Sequence, residues 1–221
     1  HTELMLKFLK YPIIVNQKQN VDKISVQGLH QFNAFEYNVP GDISSAAFFI
    51  VLTLLSKKSQ IIIENVNVNK SRIGIIKILN KMGAGIQLKD KRNYNGELIA
   101  NISVKGKNNL KAVNCPSKLN SAAIDEFLII FLVAAKARGV SKFKDLGEMN
   151  KKESKRLDLG VQFLRLIGIK VERFKNNINI HGNPNLVLSS NFEIKNFLKD
   201  HRIFFLSCIA ALTLGGNWKI N

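Results

Sequence analysis

The chain has 221 residues, 46% of them hydrophobic, enough to build a core as one large domain or as parts of two. Its 33 lysines and arginines face 16 aspartates and glutamates, and the formal net charge of +17 favours anionic partners: nucleic acid, an acidic membrane surface or phosphorylated small molecules. The most apolar runs, Phe48–Leu55, Phe127–Ala135 and Ile203–Leu214, are each about a dozen residues or fewer, short of the ~20 that span a bilayer, so they read as buried helices.

The lysines are scattered rather than gathered into one stripe, and aromatics do not interleave with them as a base-stacking surface requires. Cys115 and Cys208 are too few and too far apart for a metal site or a disulfide framework, which fits a reducing compartment.

In chain order, His1–Leu9 has helical periodicity with Thr2 in a capping position, and Ile13–Val15 and Lys23–Val26 alternate as strands that end at Gly28. Tyr37-Asn38-Val39-Pro40-Gly41 is the clearest seam, a Pro-Gly turn between this first piece and the rest. Ser44–Leu55 follows as a helix apolar nearly all round, with Asp42 or Ser44 as its cap. Ile73–Met82 is amphipathic and stopped by Gly83; strands over 85–88 and Ala100–Val104 then run to Gly106. The pattern recurs. Ile124–Arg138 is a second apolar helix, and Leu157–Ile167 a second amphipathic one stopped by Gly168, with strands Ile169–Phe174 and Ile178–His181 ending at Gly182. His201–Leu214 is the third apolar helix. The repeated unit is strand, buried helix, strand, amphipathic helix, strand, strand.

Each apolar helix is announced by acids: Gly41-Asp42, Ile124-Asp125-Glu126 and Lys199-Asp200-His201-Arg202. The run Lys151-Lys152-Glu153-Ser154-Lys155-Arg156 adds four cations and a carboxylate where a loop becomes a helix; the four-residue spacing puts two of the cations, Lys152 and Arg156, on one face. A helix start also offers unpaired N–H groups and a positive dipole end, so it can hold an anion and still keep a carboxylate free for proton transfer. If the repeated units bring equivalent helix starts together, Lys152, Arg156 and Arg202 converge on one cleft. Asp125 and Glu153 then supply paired carboxylates for general acid–base work. Such a cleft suits substrates bearing phosphate and carboxylate.

These residues resemble a known family. Val39-Pro40-Gly41-Asp42-Ile43-Ser44-Ser45-Ala46-Ala47-Phe48-Phe49, Asn69-Lys70-Ser71-Arg72-Ile73-Gly74, Lys81-Met82-Gly83-Ala84, Ile124-Asp125-Glu126, Lys152-Glu153-Ser154-Lys155-Arg156 and Asp200-His201-Arg202-Ile203 are similar, in order, to the motifs of 5-enolpyruvylshikimate-3-phosphate synthase. His1-Thr2-Glu3 is similar to the end of that family's Ser-Arg-Asp-His-Thr-Glu motif. The resemblance implies an α/β protein, an inside-out α/β barrel of βαβαββ units in a two-lobe enzyme. Residues 1–39 would end the first lobe; residues 40–221 would form the bulk of the second, lacking its final strand and tail. It also implies a piece of the longer enzyme that is inactive by itself.

The implied activity is transfer of the enolpyruvyl group of phosphoenolpyruvate to the 5-hydroxyl of shikimate 3-phosphate, with release of phosphate. This is a step of chorismate and aromatic amino acid biosynthesis. The resemblance further implies a cytoplasmic monomer with no metal, no organic cofactor, and no nucleic-acid or membrane partner. By it, Asp125 is the base near the shikimate hydroxyls, Lys152 assists at the phosphate side and in proton transfer, and Glu153 protonates the methylene carbon. Asp125, Lys152 and His1 bind shikimate 3-phosphate, Arg156 and Arg202 clamp phosphoenolpyruvate, and Asp42, Asp200 and His201 support them. Two positions depart from the family: Glu148-Met149-Asn150 stands where it usually has Glu-Leu-Arg, and Lys155 where it has Asp. The rival readings are the sister enzyme acting on UDP-N-acetylglucosamine, which lacks the Pro-Gly-Asp and Lys-Glu-Ser motifs in this form, and a basic nucleic-acid-binding module.

Overall fold

The computed structural model describes residues 1–17, 22–31, 33–195 and 200–220; Lys199 and Asn221, named above, lie outside them. The elements run α1 (Thr2–Phe8), β1 (Ile13–Gln17), β2 (Asp22–Val26), α2 (Ile43–Leu55), β3 (Gln60–Asn67), α3 (Gly74–Lys81), β4 (Gln87–Tyr94) and β5 (Glu97–Lys105). They continue with α4 (Asn120–Ala123), α5 (Phe127–Lys136), β6 (Gly139–Phe143), α6 (Arg156–Leu166), β7 (Val171–Phe174), β8 (Asn177–Gly182), β9 (Leu188–Ile194), α7 (His201–Leu214) and β10 (Gly215–Ile220).

The three apolar helices form the centre. α2, α5 and α7 pack pairwise against one another, and Phe127 to Ala135 of α5 are all buried. A helix with apolar residues on every side must be wrapped, which is complete for α5, while α2 and α7 keep an exposed side at Phe49, Phe205 and Leu212. The wrapping is done by sheets: β3-β5-β4 lies on α2, β6-β8-β7 on α5, and β9-β10 on α7. The amphipathic α6 buries one stripe against α5, with Leu157, Val161 and Leu164 inward. Glycine at 160 permits the close approach, since a Cβ there would meet Leu128 Cδ2 at 2.8 Å.

The repeat is visible in the pairing. In each unit the segment before the central helix pairs in parallel with the strand after it: Gly41 with Val66, Lys111 with Arg138, and β9 with β10. Two antiparallel strands follow in the first two units, and each hairpin ends at a glycine lying across the C-terminus of the central helix. Lys107 N donates to Leu54 O at 2.9 Å and Asn183 N to Ala135 O at 2.7 Å, so the returning chain satisfies carbonyls the helix end leaves free.

Several expected boundaries shift. The hairpin expected over 85–88 and Ala100–Val104 is much longer, because β4 is a solvent-facing strand with little apolar alternation. Its turn is Asn95-Gly96, both at positive φ (51° and 81°), the geometry of a two-residue hairpin turn. Ile124-Asp125-Glu126 is a turn between α4 and α5 rather than the first turn of a helix from 124. Asp42 and Asp200 are side-chain caps, accepting from Ser45 N and Arg202 N; Thr2 is not, since α1 starts at Thr2 without a capping bond. The hydrophobic core begins at Ile43; α1 contributes no buried residue and β2 is exposed throughout.

Candidate active site

The start of α6 is not the continuous helix that the spacing of Lys152 and Arg156 suggests. α6 begins at Arg156, and Lys152 has extended backbone in the preceding turn. Asn150, one of the two departures, explains the break. Its Oδ1 accepts from Leu157 N at 2.9 Å and Asp158 N at 3.3 Å, and its amide donates to Asp158 Oδ1 at 2.8 Å. Asn150 therefore caps α6 from six residues upstream, where Lys155, at the capping position, makes no capping bond. Lys155 itself is exposed.

Lys152 and Arg156 still meet, through Asp125. Lys152 Nζ stands 3.4 Å and Arg156 Nη1 3.1 Å from Asp125 Oδ1. The Arg156 side chain is 2% exposed, and each of its nitrogens has a carboxylate: Nη1 on Asp125, Nε on Asp200 at 2.8 Å, Nη2 on Glu153. Asp200, itself fully buried, also accepts from Ser154 Oγ at 2.6 Å and from Arg202 N at 2.9 Å. Arg202, at the first turn of α7, donates Nη1 to the Asp125 carbonyl at 2.8 Å; its Nη2 is 4.0 Å from Asp125 Oδ2 and its Nη1 3.9 Å from Glu126 Oε1. The buried Nε of Arg202 has no hydrogen-bond partner among the described residues.

A second arm joins through Glu126, whose side chain is 2% exposed. Ser44 Oγ donates to Glu126 Oε1 at 2.5 Å and accepts from Arg72 Nη2 at 2.9 Å, and Arg72 reaches Asp42 Oδ1 at 3.7 Å. Three repeat units thus converge: Asp42, Ser44 and Arg72 from the first, Asp125, Glu126 and Lys152 to Arg156 from the second, Asp200 and Arg202 from the third.

The electrostatics separate the carboxylates. Burial would raise Asp125, but Arg202, Lys152 and Arg156 outweigh it and hold its pKa below the ordinary Asp value. Burial opposes Asp200 too, and the bonds from Ser154 and Arg156 overcome it, again lowering the pKa. Glu126 goes the other way: burial raises its pKa, and the Ser44 hydrogen bond and Arg202 offset this only in part. Lys152, Arg156 and Arg202 are thus matched to Asp125, Glu153, Asp200 and Glu126. An anion drawn to this cluster competes with these carboxylates for the three cations.

Among the described residues, His1 stands apart from this cluster: its Nδ1 pairs with the buried Glu97 at 2.5 Å. His201 is exposed beside Arg202 and lines a cavity of about 370 Å³ with Asp42, Ser44, Phe48 and Phe205. Sequence reasoning gave Ser44 only an alternative capping role, and Arg72, Glu126 and Ser154 none. All four stand inside the matching motifs, and a hydroxyl or carboxylate at the start of an apolar helix is the signal that singles out Ser44 and Glu126. No group of three His, Cys, Asp or Glu among the described residues could hold a metal ion.

Comparisons with known proteins bear on the family of the chain. The family model for EPSP synthase (3-phosphoshikimate 1-carboxyvinyltransferase) matches residues 1–221. The 3-phosphoshikimate 1-carboxyvinyltransferase of Ruthia magnifica subsp. Calyptogena magnifica is 40% identical over 216 residues, covering 96% of this chain and 47% of that protein. The enzyme of the same name from Thermodesulfovibrio yellowstonii is 36% identical over 220 residues, covering 100% of this chain and 50% of its own length. The chain therefore spans about half the length of the curated relatives it matches. Among solved structures, EPSP synthase from Acinetobacter baumannii superposes with a TM-score of 0.88 at 32% identity, over 100% of this chain and 49% of that one. The enolpyruvyl transferase NikO from Streptomyces tendae, at a TM-score of 0.59 and 11% identity over 98% of this chain and 46% of its own, shares the fold alone. The chain belongs to the EPSP synthase family.

Proposed function

We propose that this chain supplies one wall of the active site of an enzyme that transfers the enolpyruvyl group of phosphoenolpyruvate to the 5-hydroxyl of shikimate 3-phosphate. The observation that carries the reading is the convergence of Asp125, Lys152, Glu153, Arg156 and Arg202, from separate repeat units, on one buried ion-pair cluster. Residues 40–221 form the bulk of one lobe and residues 1–39 end the other, a division supported by a core that starts at Ile43. The enzyme acts as a cytoplasmic monomer on two small phosphorylated substrates, without nucleic-acid or membrane partners.

In this reading Glu153, exposed at 62% and bonded to Arg156, gives a proton to the methylene carbon of phosphoenolpyruvate. The hydroxyl oxygen of shikimate 3-phosphate adds to C2 while Asp125 takes the hydroxyl proton. The tetrahedral adduct then breaks its C2–O bond to phosphate, which leaves with the proton held by Asp125, while a methyl proton returns to the Glu153 carboxylate and the double bond is restored. Arg156 and Arg202 hold the carboxylate and phosphate of the donor, for which the guanidinium fork fits two parallel hydrogen bonds. Lys152 and His1 serve the shikimate 3-phosphate side, with Asp42, Asp200 and His201 in support. Asp125 is a weak base while three cations surround it; the donor's negative charge engages Arg156 and Arg202 and raises its basicity.

The test uses the full-length protein. Phosphate release should require both substrates together and should fall steeply in the Asp125→Asn variant. Phosphate release with UDP-N-acetylglucosamine in place of shikimate 3-phosphate would overturn the assignment of the acceptor.

A further inference from the structure

We infer that Glu126, held by Ser44 and Arg72, is a positioning residue that sets the Arg202 guanidinium for its anionic ligand. The inference rests on the donor-clamp reading of Arg202. Arg156 needs no such help, since carboxylates hold all three of its nitrogens. Arg202 has one direct hydrogen bond from its guanidinium among the described residues, Nη1 to the Asp125 carbonyl, and its Nε is buried without a partner. A long side chain fixed at one point rotates, and an arginine must present a defined fork to gain from bidentate binding. Two carboxylates limit this rotation, Glu126 Oε1 at 3.9 Å from Nη1 and Asp125 Oδ2 at 4.0 Å from Nη2.

Glu126 is suited to that task because it cannot follow the ligand. It is sealed from solvent, and its Oε1 accepts a hydrogen bond from the Ser44 hydroxyl at 2.5 Å. Ser44 is in turn fixed by Arg72 Nη2 at 2.9 Å, so the chain Arg72–Ser44–Glu126 ties the first and second units to the start of α7 in the third. Asp125 is less suited to this role: it is 23% exposed, shared with Lys152 and Arg156, and assigned to the substrate. A fixed carboxylate beside a guanidinium held by one hydrogen bond biases its orientation, the division of labour expected of a supporting shell.

The experiment substitutes Glu126→Gln in the full-length enzyme, keeping shape and an acceptor for Ser44 while removing the charge. Ser44→Ala and the double variant complete a cycle. KM for phosphoenolpyruvate should rise on the order of tenfold, the equivalent of one charge-assisted contact, while KM for shikimate 3-phosphate stays within about twofold. The two substitutions should be non-additive, because they act on one chain of contacts. A merely structural Glu126 would lower the melting temperature and leave both KM values of the folded enzyme alike, which overturns the inference. A crystal structure of the Glu126→Gln protein gives an answer that does not depend on the assigned reaction. An Arg202 that keeps its bond to the Asp125 carbonyl and its orientation also overturns the inference. A reoriented Arg202 supports it even if the substrates prove to be different.

Discussion

Arg156 Nε lies 2.8 Å from Asp200 Oδ2, and both side chains are sealed from solvent, at 2% and 0% exposure. A paired ion at that depth is no guarantee of stability, since desolvation cancels much of the attraction. Removing one partner is different, because the survivor is left charged and dry. The pair also bridges the second and third repeat units, joining α6 to the start of α7.

The first prediction follows from that asymmetry. In the full-length protein, Asp200→Ala should lose about 3–5 kcal/mol of unfolding free energy, the usual result of breaking a buried pair. Asp200→Asn should lose less, because an Asn still caps α7 and still accepts from Ser154 or Arg156. Urea unfolding of both variants checks the order. Equal losses would show that the ion pair alone, and not the cap an Asn retains, is what Asp200 contributes.

The second concerns acid. Asp125 and Asp200 both have depressed pKa values in the fold. Their contribution is fully present above the ordinary Asp value of about 3.9 and is lost as pH falls through their lower folded values. The Asp200→Asn variant should therefore show a shallower loss of stability below about pH 4 than the unsubstituted protein. Unfolding midpoints measured across that range decide the matter; parallel curves would remove Asp200 from the acid response.

The third concerns Asp125 as a base. Asp125→Asn preserves the shape, and kcat should drop by about 10² or more, the range for losing a general base, while both substrates still bind. Near-normal kcat would leave Asp125 as an anchor for Lys152 and Arg156 alone.

The fourth tests the repeat itself. Gly106 and Gly182 occupy matching places, and a Cβ would meet the carbonyl oxygen of Ser56 at 2.0 Å and of Ala137 at 2.1 Å. Those oxygens belong to backbone at the ends of α2 and α5 and have little room to retreat. Gly182→Ala and Gly106→Ala should each destabilise by roughly 1–3 kcal/mol, as overpacking does. Two thermal melts suffice, and an unchanged melting temperature for either would contradict the close crossing.

These glycines also show why so much of the fold was legible. The central helices announce themselves because α5 is apolar on every side, and Gly106 and Gly182 mark the same crossing twice. β4 was half hidden because its outward side chains, such as Lys89, Lys91 and Arg92, give no alternating pattern. The cluster was legible as a set of residues but not as a pattern of bonds. Lys151 to Arg156 looks like a solvated helix start, yet Arg156 is among the largest fully buried side chains, since Asp200 lies 44 residues away in sequence. Nor does sequence reveal that Asn150, which replaces an expected Arg, caps α6.

The last prediction concerns Arg202 and the donor. Arg202 enters from α7, with one hydrogen bond to the Asp125 carbonyl and a buried Nε that has no partner among the described residues. Phosphoenolpyruvate presents a planar carboxylate and a phosphate, and a guanidinium matches either with two parallel hydrogen bonds. Lysine keeps the charge and loses the fork. In the full-length enzyme Arg202→Lys should weaken phosphoenolpyruvate far more than shikimate 3-phosphate. One charge-assisted hydrogen bond contributes about 1.5–3 kcal/mol, on the order of 10- to 150-fold in apparent donor affinity. A structural Arg202 predicts something else: a lower melting temperature and equal effects on both substrates, because Nη1 ties α7 to the Asp125 turn. Steady-state KM for each substrate, taken with a melting curve, separates the two. Equal loss for both substrates with a lowered melting temperature would return Arg202 to the scaffold and leave Arg156 as the remaining candidate for the donor.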